Sequence, residues 1–133
     1  MSQAFRTPHK TGIQVRFNDT DALGHLNNTS FALYAEYARV EFLDNLRTGE
    51  VYLILAHIAL DFVKQVKFRE EVYVTTQVEK LGKTSVTLHQ EVYASGEVAA
   101  KVRSVVVLFN YGTQKSVRIS DEVREQLSIF TMS

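Results

Sequence analysis

The sequence contains no cysteine. That absence excludes disulfides, a thiol nucleophile and a thiolate metal site, and it fits a reducing compartment. No serine stands in a nucleophile-elbow context such as G-x-S-x-G, which argues against a serine hydrolase. No apolar run approaches the roughly 20 residues that span a membrane. Met1 to Lys10 lacks the apolar core of a signal peptide. A cytoplasmic protein with no membrane partner is therefore expected. An excess of one charge is missing as well: 15 Lys+Arg balance 15 Asp+Glu. A net charge of zero implies no nucleic acid or other polyanionic partner. Any anion site must be local, and charge repulsion does not oppose self-association.

The 133 residues are 45% hydrophobic, enough for a single domain over 1–133 with a real core. Residues 1 to 10 read as an irregular lead-in holding the only proline, Pro8. From Thr11 to Asn18, Ile13, Val15 and Phe17 alternate with Gln14, Arg16 and Asn18, the pattern of a half-buried strand. A polar loop follows, and then a helix from Thr29 to about Arg47, of roughly 18 to 20 residues against a mean near 11 to 12. Phe31, Ala32, Leu33, Tyr34, Ala35, Tyr37, Ala38, Val40, Phe42 and Leu43 leave little polar surface, so the helix is expected to be buried. Gly49 suits its stop, with Arg47 near the negative end of the dipole.

The remainder reads as strands. Val51 to Val63 is almost wholly apolar, and a strand is placed at about Ile54 to Lys64. Val72, Val74 and Val78 alternate with polar residues in the next. Leu81-Gly82-Lys83 and Ala94-Ser95-Gly96-Glu97 are hairpin turns that separate it from a strand carrying Val86, Leu88, Val92 and Ala94 and from a last strand over Val98 to Tyr111. Val105 to Phe109, apolar on both faces, suits a central strand. Ser120 to Ile129 forms a short amphipathic helix capped by Ser120. The result is an α+β chain with five antiparallel strands against one long helix.

The chemistry gathers in the loop Asp19-Thr20-Asp21-Ala22-Leu23-Gly24-His25-Leu26-Asn27-Asn28 at the helix N-terminus. Free amides at such an end carry about half a positive charge and welcome a carbonyl oxygen or an anion. Asp21 supplies a carboxylate beside them, and a carboxylate next to a carbonyl-polarising site is the minimum machinery for acyl transfer. His25 is placed to assist a proton transfer or hold a water. The same residues suit plain structural roles: Asp19 and Asp21 as turn formers, Gly24 for a positive φ, Asn27 or Asn28 as the N-cap. The loop offers too few ligands for a metal site. Lys64, Lys67 and Arg69 form a basic cluster that also suits a solvated edge. His9, His57 and His89 have no telling spacing.

The string from Val15 to Thr29 closely resembles the signature of hotdog-fold acyl-CoA thioesterases of the hydroxybenzoyl-CoA thioesterase type, with its Asp-x-Asp-x-x-Gly loop before a long central helix. The Gly-His-x-Asn-Asn ending is similar to the branch that includes acyl-ACP thioesterases. Glu36 and Arg39 on the helix, the strand order and the Leu81-Gly82-Lys83-Thr84-Ser85 turn extend the resemblance over about residues 11 to 112. It implies a hotdog fold, a five-stranded antiparallel sheet curled around the central helix. It implies hydrolysis of an acyl-CoA thioester with no cofactor, coenzyme A being part of the substrate.

The same resemblance implies that Asp21 is the catalytic carboxylate, as nucleophile or general base. The Asn28 amide would hold the thioester carbonyl, Gly24 would allow close approach, and His25 and Asn27 would line the mouth. Lys64, Lys67, Arg69, Lys83, Thr84 and Ser85 are the candidate coenzyme A contacts. Where relatives commonly carry a proline, this chain has Val63-Lys64-Gln65-Val66-Lys67, so the pocket edge there is expected to differ. The active unit implied is a homodimer with sites between subunits, assembled further into a homotetramer. A hotdog hydratase or dehydratase with His25 as base and a non-catalytic acyl-CoA-binding module are the alternatives.

Overall fold

The computed structural model describes residues 8–44 and 51–132. Eight elements follow in order: β1 (His9–Ile13), α1 (Asn28–Leu43), β2 (Val51–Phe62), β3 (Val72–Leu81), β4 (Ser85–Ala94), β5 (Glu97–Asn110), β6 (Lys115–Ser116) and α2 (Asp121–Ser128). A single 3-10 turn covers Phe17–Asp19. All strand pairs are antiparallel, in the order β1-β3-β4-β5-β2, with β6 added to the end of β5. The sheet thus has six strands, not five. The extra strand is two residues long, paired where β5 outruns β4, and it is too short for periodicity to reveal.

Alternation builds the core as expected. Val72, Val74, Thr76 and Val78 of β3 face inward, as do Val86, Leu88, Gln90, Val92 and Ala94 of β4. They meet Phe31, Tyr34, Ala38 and Leu43 of α1. The β4–β5 hairpin turns on Ser95 and Gly96, both at positive φ, which closes a two-residue loop with the twist of its flanking strands. Ser120 caps α2 by accepting from the Val123 amide at 3.2 Å.

Four expectations change. The first strand is His9–Ile13 rather than Thr11 to Asn18, because the chain must turn at Arg16 to bury Asp19. Phe17 is left 73% exposed, its ring edge-on to Phe68 at 5.8 Å. β2 runs Val51–Phe62 rather than Ile54 to Lys64, since Val63 and Lys64 turn to donate to the Ala99 carbonyl. Helix α1 has 16 residues, fewer than expected, and ends at Leu43 with Asp44 as its C-cap. The expected run to Arg47 and the stop at Gly49 lie outside the described residues. Finally, α1 is not covered all round: the sheet buries the stripe through Phe31, Tyr34, Ala35, Ala38 and Leu43, and Leu33, Tyr37 and Val40 face outward, each more than half exposed.

Candidate active site at the helix mouth

Asn27 caps α1, its side chain accepting from the Thr29 amide at 3.0 Å. That bond frees the helix to begin at Asn28. The Asn28 amide donates to no acceptor among the described residues, leaving a free donor at the positive end of the helix. The two aspartates before it have opposite environments. Asp19 is 4% exposed. Its carboxylate accepts from the Arg16 amide at 2.9 Å, the Arg16 guanidinium at 3.2 Å and the Tyr34 hydroxyl at 2.6 Å. Its carbonyl accepts from the Asn27 amide at 2.8 Å and from Ser30 Oγ at 2.9 Å. Burial pushes its pKa up, but the bonds from Tyr34 and Arg16 outweigh it and hold the carboxyl below its ordinary value. Burial first, then the bond to Asp19, raises the Tyr34 phenol. Asp19 is thus committed to fixing the loop on the helix.

Asp21 is exposed. Its Oδ1 accepts from the amides of Leu23 at 2.8 Å and His25 at 3.1 Å, the Asx-turn pattern. Its amide donates to the His25 carbonyl at 2.7 Å and its carbonyl accepts from Gly24 at 3.1 Å. Gly24 sits at φ +82°, a conformation that strains any side chain. The loop closes on itself through a Thr20–Leu26 bridge and docks onto the segment before β3: the Leu26 amide donates to the Val66 carbonyl at 2.6 Å, and His25 bridges Lys67. Asp21 Oδ1 is occupied by the loop, and no bond is made by its Oδ2 among the described residues.

Asp21, His25 and Asn28 line one cavity of about 260 Å³ with Leu26, Phe31, Phe62, Val63, Lys64 and Gln65. The turn role of Asp21 thus engages one carboxylate oxygen and leaves the other without a bond among the described residues. Phe31, Phe62 and Gln65 were not singled out in the sequence. Phe62 had a signal near the end of an apolar run, and Gln65 had only its place in the stretch from Val63 to Lys67 expected to change the pocket edge. A shallower depression beside the first is lined by Leu23, Gly24, His25, Lys67, Phe68 and Arg69. Lys67 and Arg69 thus come to the mouth, Arg69 lying 5.4 Å from the centroid of the Phe68 ring. Glu70 pins this segment: its carboxylate accepts from the Lys67 amide and from Ser95 Oγ, both at 2.8 Å, and these bonds hold it below its ordinary value.

Lys64 reaches the cavity but also donates to Glu97 at 2.8 Å. Asn27 caps the helix and is not among the cavity's lining residues. Lys83, Thr84 and Ser85 are not brought to the mouth within one chain. They form the β3–β4 turn at the opposite end of ten-residue strands, a separation of roughly 30 Å at strand rise.

Known proteins share this fold. The sequence pattern of the thioesterase-like superfamily matches residues 15–127. A predicted thioesterase from Bacillus stearothermophilus is similar at a TM-score of 0.88 and 31% identity, over 96% of this chain and 98% of that one. A thioesterase from Thermus thermophilus, solved with coenzyme A and Zn, is similar at a TM-score of 0.82 and 27% identity, over 94% and 96% of the two chains. The long-chain acyl-CoA thioesterase FadM of Escherichia coli is 25% identical over 126 residues, 89% of this chain and 96% of that protein.

Proposed function

The chain belongs to the thioesterase-like superfamily and is a thioester hydrolase, and from that premise we propose that it hydrolyses acyl-CoA thioesters to free acid and coenzyme A at the mouth of α1. The carrying observation is the shared cavity of Asp21 and Asn28, one with a carboxylate oxygen free of the loop's bonds and the other with a free helix-end amide. The thioester carbonyl binds at that amide, where the helix dipole favours the negative charge that develops on oxygen. A single such donor contributes about 3 to 4 kcal/mol to the transition state. Asp21 attacks the carbonyl or draws a proton from an attacking water. Thiolate is a good leaving group and needs no strong general acid. Phe31 and Phe62, edge-on at 5.6 Å, form the apolar wall on the acyl side. His25 lines the junction of the two depressions, and Lys67 and Arg69 stand where a phosphate-bearing carrier would leave the mouth.

Coenzyme A as carrier is supported by the relation to FadM and by the coenzyme A complex of the Thermus relative. The hydroxybenzoyl-CoA type of hotdog thioesterase, with its Asp-x-Asp-x-x-Gly loop, is the mechanistic template. The active unit is a homodimer. The free edge of β2 and the exposed Leu55, Phe62 and Val63 along it support this, because bare apolar edges invite pairing. A second copy across that edge lies antiparallel, so the distant Lys83, Thr84 and Ser85 can approach the mouth only from the partner subunit. The test is thiol release from short, medium, long and aromatic acyl-CoAs. Release from at least one class is expected; none from any class, with the protein folded, refutes the proposal.

A further inference from the structure

Arg39 is the anomaly of helix α1. It is 5% exposed, and its Nη1 is buried with no hydrogen-bond partner. Burial pushes the guanidinium below its ordinary value, an effect the Glu36 charge opposes. An arginine cannot shed its proton in a protein, so a buried one demands an acceptor. Glu36, whose charge acts on that guanidinium, is exposed and makes no ion pair or hydrogen bond among the described residues. Both line a cavity of about 280 Å³ between α1 and the edge strand β2, and the exposed Asp44 at the end of α1 lines the same cavity. Its rim carries Val40 and Leu55, each well exposed. One chain therefore holds an unpaired cation with an unpaired anion, Glu36, one helical turn before it and a second, Asp44, beyond it, at an open apolar seam.

Resting on the homodimer reading above, we propose that this seam is closed by a second copy of the chain, with Arg39 of each subunit paired to the partner's Glu36. A twofold axis sets the same patch against itself, so a contact from Arg39 to the partner's Glu36 is made twice. Antiparallel helices related this way place the axis between Tyr37 and Ala38, near the middle of α1. The two arginines and two glutamates then neutralise one another, with Asp44 of each subunit at the end of the seam. The same axis sets β2 antiparallel to its copy, extending the sheet across the free edge. Self-complementarity of charge also gives register: a slipped pairing parts each Arg39 from the partner's Glu36.

The test is a complementation between two variants, Glu36→Arg and Arg39→Glu. Each alone puts like charges face to face twice, so each is expected to be folded and monomeric by sedimentation at concentrations where the parent is dimeric. Mixed in equal amounts, they restore both pairs. A heterodimer by native mass spectrometry and return of thiol release are expected. Should Arg39→Glu not fold alone, its co-expression with Glu36→Arg is expected to yield the heterodimer. A dimeric parent whose Glu36→Arg variant stays dimeric, or a mixture in which no heterodimer forms, overturns the pairing while leaving the dimer reading intact. A monomeric parent overturns both.

Discussion

Replacing Asp21 by asparagine separates the two jobs of that side chain. The asparagine Oδ1 still accepts from the amides of Leu23 and His25, which lie at 2.8 and 3.1 Å in the parent, so the loop keeps its shape. Its other atom becomes an NH₂, which neither attacks a carbonyl nor takes a proton from water. The bonds kept are weakened from charge-assisted to neutral, and at an exposed site the stability cost is below about 1 kcal/mol. The chemical cost is far larger. A positioned general base contributes about 10² to 10⁴-fold, which is roughly 3 to 5 kcal/mol of barrier. Single-turnover and steady-state thiol release, followed with a chromogenic thiol reagent on the best acyl-CoA, should show kcat down by about 10²-fold or more with KM little changed. Thermal unfolding of the same sample should move by no more than a few degrees. A folded variant that keeps kcat within about threefold of the parent refutes the reasoning, since loss of a base cannot be so mild.

Other outcomes follow from the same geometry. Asp19→Ala strands the buried Tyr34 hydroxyl and removes the acceptor of the Arg16 amide, the exposed Arg16 guanidinium turning to water, and should cost about 2 kcal/mol of stability by chemical denaturation. Because Asp19 titrates below its ordinary 3.8 in the folded state, its contribution is complete above that pH and fades as pH falls through the lower folded value. The stability gap between the parent and Asp19→Asn should therefore narrow on acidification below about pH 4 and be flat above it. Lys67→Ala with Arg69→Ala should raise KM for acyl-CoA with kcat nearly constant, and an unchanged KM would count against a phosphate contact. Gly24→Ala meets no atom within 4 Å of its new Cβ, so its cost is the backbone strain at φ +82° alone, about 1 to 2 kcal/mol by thermal unfolding.

Much of this protein was legible in its sequence. Period-two alternation located β3 and β4, because a strand with one buried face must alternate, while the Ser95-Gly96 turn and a run apolar on both faces located β5. Ser95-Gly96 and Ser120 marked a turn and a helix start through their own local chemistry. The Asp-x-Asp-x-x-Gly loop ahead of an Asn-capped helix announced a carboxylate beside free amides, which local chain geometry alone brings together. Tertiary structure decided the rest. Asp19 and Asp21 are the same residue type two positions apart; only packing against Tyr34, fifteen residues beyond Asp19, made one a buried anchor and left the other with an oxygen facing a cavity. Nothing local told that β2 would pair with β5 at the far edge, that Leu33, Tyr37 and Val40 would face outward, or that Lys83 to Ser85 would lie at the wrong end of the sheet. Those outcomes depend on which surfaces meet across the fold, and residue order records which faces are apolar but not which surface each one finds.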